Sequence, residues 1–534
     1  MTTDPSAPLS IPDADYTYRS LLRNNYLPAR AWHRDEVPPF FSTRTLTPEK
    51  ANELLGVTDK KRSHDFIHYR LTRHANSTRL LSIPHPAPYA RLCREIFDSW
   101  DIDMVFRIEQ NKESRIVPRV YPNDNIVSFG SYEASDGEED EDSRVIMQHH
   151  PASASRLRAE EVDLAIGKRY LVKADIAAFF PSVYTHAIPW AVHGKEVGKQ
   201  WPPDYTLCGN RLDRCSRNLQ RRESIGVPIG PGTSHILSEL LLNPVDAYLR
   251  EQGYAFIRLI DDYRCYCASR KHADAFIIDL EDQLTEYGLH LNASKTSIAS
   301  LPVKRNDPWA VQLRTQLSEM ELSKTTTVSD VFDLAIGLQA KWPESNVLKY
   351  AARALARKSE SAGDLLERTA RHILGIAFHH PTVTPILAGL VQKSRAAVRV
   401  AEVEQLLCTQ LKERLPSDAI CWTLFLWQQL AGTRRTLPSE LVDRVIEQAD
   451  CMVISSLWAI GQGRDQVIRF VERLDPGDRG WQYDRYWLLV HEVADAVPQT
   501  TQYRKETGLQ FLADKQVAFI DRTVLYANEF EEVM

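Results

Sequence analysis

A chain of 534 residues, 43% apolar and 25% charged, is long enough for two or three domains with sizeable cores, which excludes a small module held together by disulfides. Its eight cysteines are scattered with no Cys-x-x-Cys spacing, and Cys265 and Cys267 alternate onto one strand face, so reduced thiols in a cytoplasm are expected and a zinc site is not. The net charge of −6, from 65 Lys and Arg against 71 Asp and Glu, excludes a uniformly basic nucleic-acid binder, but its distribution counts for more than its sum.

The N-terminus is polar, with no signal-type apolar stretch, and no apolar run approaches ~20 residues, so a soluble cytoplasmic protein with no membrane partner is expected. Residues 1 to about 60 are rich in Pro, Arg and Tyr. The pattern there predicts helices near Tyr18 to Asn25 and from Thr47 to Leu55, the second capped by Thr47 with Pro48 at its first position. Strands and helices mix from 64 to 165: Arg79 to Pro84 alternates like a strand, and Tyr89 to Trp100 like an amphipathic helix. The run Asp136 to Asp142 carries much of the negative charge and reads as a solvated loop.

From 166 the pattern sharpens. Leu171 to Val183 brings Asp175 in from an apolar strand and follows it with Phe179 and Phe180. Arg258-Leu-Ile-Asp-Asp-Tyr263 places Asp261 and Asp262 at the tip of a hairpin, between Phe256-Ile257 and Tyr263 to Tyr266. Adjacent carboxylates among apolar residues repel each other and lose hydration unless a cation is present. Three carboxylates on neighbouring strands can hold two divalent cations about 4 Å apart, the arrangement that displaces pyrophosphate from a nucleotide. Mg2+ suits a site of few carboxylates, waters and substrate phosphates, with Mn2+ as the alternative. The strands expected here are 170–176, 255–260 and 263–268, with helices at 235–250 and 271–287 over one face; Asp246, at the far end of the first helix, reads as structural. Arg211, Arg214, Arg217, Arg221 and Arg222 cluster between these blocks. On a helix Arg214, Arg217 and Arg221 share a face, which leaves open a phosphate-contacting surface and a solvated one. In Pro228 to Ser234, Gly230 and Gly232 permit close backbone approach to a nucleotide or template. Lys295 can meet a phosphate or protonate pyrophosphate, or it can be a solvated lysine after a strand.

Beyond about 315 helical patterns dominate, at 345–357, 363–378, 383–394, 399–413, 417–430, 438–449 and 451–461. Six of the eleven tryptophans lie there (Trp342, Trp422, Trp427, Trp458, Trp481 and Trp487), at spacings that place them in a core and not on a base-stacking surface. No strict period is present, so any repeat is degenerate.

The order of the blocks, with Asp175 and Phe179-Phe180 first, then Gly226 to His235, Asp261-Asp262, and Gly288 to Thr296, resembles the palm motifs of reverse transcriptases over roughly residues 65 to 310. Thr185-His186-Ala-Ile-Pro-Trp190 and His193-Gly-Lys195 are similar to the abortive-infection, AbiK-like branch of bacterial defence-associated reverse transcriptases. The resemblance implies an α+β fold: an N-terminal and fingers region (1–165), a palm with the catalytic aspartates (166–310), and an all-α HEAT-like repeat domain (311–534). It implies a DNA polymerase whose partners are dNTPs, a single-stranded DNA product, a non-coding RNA and further copies of itself. Asp175, Asp261 and Asp262 would be catalytic and metal-binding; Arg73, Arg79, Phe180, Gly230 and Lys295 would contact the nucleotide. Phe180, five residues after Asp175, would pack beneath the sugar and exclude a 2′-hydroxyl, leaving Phe179 to the core. Ile229 stands where retroviral and intron enzymes have Gln, and Leu259 where most have an aromatic residue. Both departures disfavour ordinary primer-template handling and favour untemplated synthesis primed by a tyrosine, with Tyr16, Tyr18 and Tyr26, then Tyr503 and Tyr526, as candidates. The alternatives are a conventional RNA-templated enzyme, retron- or intron-like, and a binding scaffold on a dead palm, against which the three carboxylates argue.

Overall fold

The structure is a computed structural model that describes residues 13–526 except 28–35, 75–76, 101–103, 105–106, 109–111, 116–150, 305–306, 319–326, 360–362, 434, 476 and 478–479. The acidic run Asp136 to Asp142 lies outside the described residues.

The first helices begin where their caps dictate. Asp13 accepts from the Tyr16 amide at the start of Ala14–Arg23, and Thr47 accepts from the Lys50 amide at the start of Pro48–Val57, with Pro48 in the position that needs no donor. Two strands follow, β1 (Phe66–His74) and β2 (Ser77–Pro84), paired as an antiparallel hairpin with a register shift between Thr72 and His74. The helix Pro86–Ser99 comes next, its apolar positions buried at three- and four-residue spacing.

The central sheet has four antiparallel strands in the order β4-β5-β3-β6: β3 is Tyr170–Asp175, β4 Phe256–Leu259, β5 Asp262–Cys267 and β6 Ser297–Ser300. Each strand lies within a residue or two of its predicted span, and β6 is an addition that the sequence pattern did not reveal. Val172, Ala174, Cys265 and Cys267 alternate onto the buried face, and the helix Arg270–Glu286 covers it with Phe276, Leu280 and Leu284. The second covering helix, Gly232–Glu251, packs on the first.

From Pro308 the regular elements among the described residues are helices packed in succession, Thr327–Lys341 on Val347–Ser359, that on Gly363–Ala377, and onward to the deeply buried Ser417–Ala431. Trp422, Trp427, Trp458 and Trp487 are buried among them, as core aromatics. Burial of each side chain of this size contributes about 2–3 kcal/mol.

The C-terminal helices fold back on the first hundred residues. The β1 backbone at Arg70 donates to Ser417, and Thr72 donates to Asp418. The Trp487 indole donates to the Ile83 carbonyl, and Phe41 bridges Ile520. At the centre of this junction Asp484, 1% exposed, accepts from His64 Nδ1 at 2.8 Å, from the Asp65 amide at 3.0 Å and from the Tyr503 hydroxyl at 2.6 Å. The His85 ring stacks on His64 with centroids 4.1 Å apart. His64, His85 and Asp484 lie close enough together to suggest a metal site. The Ala87 amide donates to His85 Nδ1 at 3.3 Å, which assigns the ring's hydrogen to Nε2, an atom buried without a hydrogen-bond partner, and leaves the neutral ring no lone pair for a metal. Burial, with His64 alongside, holds that imidazole well below its usual pKa and therefore neutral. The cluster is a hydrogen-bonded staple between sequence-distant ends. Among the described residues no helix is long and apolar enough to cross a membrane.

Candidate active site

Strand pairing assembles the carboxylates. Asp175, the last residue of β3, sits directly opposite Asp262, the first of β5. Leu259 pairs with Asp262, so Ile260 and Asp261 form a two-residue turn, and the Ile176 amide donates to the Asp261 carbonyl at 3.2 Å. The turn is strained: Ile260 has φ 62°, the left-handed region that hairpins usually give to glycine and that a β-branched residue rarely enters.

The electrostatics carry the signature of crowded anions. Burial first, then the charges of Asp261 and Asp175, push the Asp262 carboxyl up to about 6. Burial, then Asp175, also raises Asp261, against the pull of Lys295 and Arg79. The Lys295 ammonium lies 2.8 Å from Asp175 Oδ2, and Asn292 donates to the same carboxylate at 3.3 Å. Three mutually repelling carboxylates, already drawing one ammonium, fit a site for divalent cations.

Arg79, on β2, is half-buried and close enough to act on Asp261; Arg73 is exposed at the hairpin's register shift. Ala178, with φ 45°, turns the chain after β3 into the short helix Phe179–Ser182. There Phe179 is buried at 2% exposure, while Phe180 is half-buried with its ring edge-on to His235 at 5.1 Å. Gly230 has φ 128°, a backbone conformation open to glycine. The loop before the Gly232–Glu251 helix is tied to the β1–β2 hairpin, because the Ser82 amide donates to the Ile229 carbonyl. A Cβ on Gly232 would meet Asn25 at 2.7 Å, so the missing side chain there makes room for the N-terminal helix's end and not for a ligand.

The arginine cluster divides. Arg214 and Arg217 lie on the helix Cys208–Asn218, but Arg221 lies past its end at φ 55°, so the three do not share a helix face. Arg217 pairs with Asp213 at 3.1 Å; Arg221 pairs with Asp65 and stacks on Trp481; Arg214 stacks on Tyr205 with its guanidinium carbon 4.4 Å from the ring. Among the tyrosines, Tyr18, Tyr26 and Tyr503 are buried with their hydroxyls bonded to Asn52, the Pro84 carbonyl and Asp484. Tyr16 is half-buried, and Tyr526 ends the last described helix.

Sequence reasoning passed over Arg258. It is fully buried, with Glu239 and Asp246 on the Gly232–Glu251 helix as its partners. An arginine alternating with Ile257 and Leu259 in an apolar strand, and an aspartate inside a leucine-rich helix, were the available signals: each demands a buried partner, and they are each other's.

The reverse transcriptase (RNA-dependent DNA polymerase) family profile matches residues 111–340, which span the aspartates, the glycine loop and Lys295. The sequence matches no curated protein. Solved structures with likeness include apo telomerase from Candida tropicalis truncated from its C-terminal domain (12% identity, 49% of this chain and 57% of that one, TM-score 0.26). Apo telomerase from Candida tropicalis matches at 10% identity over 77% and 68% with TM-score 0.31. Telomerase from Candida albicans in complex with a TWJ fragment of telomeric RNA matches at 11% identity over 78% and 67% with TM-score 0.26. The chain thus spans little more than half the length of the first of these, and superpositions this loose transfer neither activity nor partners. What the family match shows, with the aspartates paired across β3 and β5 inside it, is that residues 111–340 of this chain are similar to reverse transcriptase (RNA-dependent DNA polymerase) domains.

Proposed function

We propose that the protein is a reverse-transcriptase-type DNA polymerase of the abortive-infection branch, extending DNA without a template from one of its own tyrosines in defence against phage. The observation that carries the polymerase chemistry is the meeting of Asp175, Asp261 and Asp262 at the ends of β3 and β5. These three would hold two divalent cations, Mg2+ by preference, which when bound activate the attacking hydroxyl and neutralise the triphosphate and its pyrophosphate leaving group. Lys295, already at Asp175, adds a positive charge to the leaving-group side, and Arg79 adds one from the fingers hairpin. Phe180 excludes a 2′-hydroxyl beneath the sugar. The finer reading draws its support from the run Thr185 to Lys195 and from Leu259 and Ile229, two positions without the residues that handle an external primer and template.

Burial raises the Tyr18 and Tyr26 phenols above the ordinary tyrosine range, which opposes formation of a nucleophilic phenolate, so Tyr16 is the first choice for the priming hydroxyl. The reading extends to assembly into homo-oligomers and to a non-coding RNA as a further partner. Purified protein incubated with labelled dNTPs and no nucleic acid should carry label that survives a denaturing gel and disappears in Tyr16→Phe. Product that runs as free DNA and needs an added RNA template and primer would establish the conventional templated enzyme instead.

A further inference from the structure

The turn that carries Asp261 is held from behind by one buried side chain. Arg258 is 0% exposed, and its Nη1 donates to the Ile260 carbonyl at 2.8 Å. The rest of the guanidinium is committed to Glu239 at 2.9 Å through two nitrogens and to Asp246 through Nε at 2.8 Å. Asp246 is held in turn by the Tyr263 hydroxyl at 2.9 Å, from the residue after Asp262. The Arg258 backbone is pinned on its outer side, its amide donating to the Glu113 carbonyl and its own carbonyl accepting from the Arg115 amide, both at 2.9 Å. Ile260 would relax out of its left-handed conformation if nothing held its carbonyl, since such strain persists only where surrounding structure over-determines it.

We propose that Arg258 is a positioning residue for the metal site: through the Ile260 carbonyl it holds the strained turn that aims Asp261, and through Glu239 and Asp246 it locks that turn to the helix carrying the glycine loop. The inference rests on the metal-binding reading of Asp175, Asp261 and Asp262. A planar fork makes these bonds simultaneously, and a lysine's single ammonium cannot. Arg258→Lys therefore keeps the buried charge while releasing the turn. Arg258→Met combined with Glu239→Gln and Asp246→Asn removes all three buried charges together, so no unpaired ion is left in the core when the donors to Ile260 and to the side chains at 239 and 246 are lost.

The test is a Mn2+ titration of the full chain followed by electron paramagnetic resonance of the free ion, below the melting onset of every variant. Both Arg258 variants should bind Mn2+ about tenfold more weakly than the native chain, as loss of a residue supporting metal ligands does elsewhere. Native-like Mn2+ affinity in both would overturn the inference and leave Arg258 a core ion pair. Asp261→Asn is the control. If it binds Mn2+ as tightly as the native chain, the metal assignment itself fails and takes the inference with it. If it loses binding while the Arg258 variants keep theirs, only the positioning role falls.

Discussion

Each of the three aspartates is expected to be indispensable for a different geometric reason: Asp175 and Asp262 face each other across the ladder, and Asp261 is aimed by the turn. Asp175→Ala, Asp261→Asn and Asp262→Asn should each reduce nucleotide incorporation by about a hundredfold or more while the chain stays folded. The pH behaviour gives a second handle. The Asp262 carboxyl titrates near 6 in the fold against 3.8 unfolded. Its folded value is raised, so its contribution to stability is present below about pH 4 and is lost as pH rises through 6. In metal-free protein, Asp262→Asn should therefore be the more stable form at pH 7.5, by about 1 kcal/mol or less given the exposure of the group, with the gap closing by pH 4. Buried Asp418, raised to about 6 by burial, adds the same slope to both proteins, so the difference between their melting curves is the measurement. Phe180→Val tests the sugar contact: the ribo- to deoxynucleotide efficiency ratio should rise by about tenfold. An unchanged ratio with retained activity would assign Phe180 to the core.

At the scale of elements, the helix Cys208–Asn218 shows how a basic run can be spent internally. Arg217 is held by Asp213, and Arg221 by Asp65 from the N-terminal region, which leaves Arg214 as the best-placed phosphate contact of the three. Single-strand binding measured against salt should lose about 0.7 from its log–log slope in Arg214→Ala. Arg217→Ala and Arg221→Ala should leave that slope near the native value and cost at most about 1 kcal/mol each, because both arginines are partly exposed and their buried aspartates keep a second partner, His186 for Asp213 and Arg485 for Asp65. If all three reduce the slope equally, the ion pairs open when nucleic acid binds.

The whole molecule is closed by contacts between residues some 400 positions apart. Asp484→Ala would strip the acceptor from His64, the Asp65 amide and the Tyr503 hydroxyl at once. With three donors left in the core, urea unfolding should show a loss of about 3 kcal/mol or more. A loss below 1 kcal/mol would mean that water enters and replaces the acceptor. The same junction bears on priming, since it buries Tyr503 and, beside Trp487, Tyr26.

Local signals determined a great deal. Thr47-Pro48 set a helix start because the cap and the missing donor are properties of those residues alone. Apolar alternation set β3, β4 and β5 because a two-residue period admits only one buried face. Those three strands were enough to bring Asp175, Asp261 and Asp262 to one end of a sheet, although the tip expected at Asp261-Asp262 falls one residue earlier, at Ile260-Asp261. The helical tail was legible for the same reason, through its spacing of three and four. Pairing across long separations was not, because complementary charges do not name their partners. Whether an arginine on a helix meets phosphate, solvent or Asp65 depends on where residue 65 passes, and whether Gly232 clears space for a ligand or for Asn25 depends on the packing of an N-terminal helix. The role of Arg258 was hidden for the deepest reason. A buried charge is tolerable only once Glu239 and Asp246 surround it, and no property of residue 258 by itself says that they do.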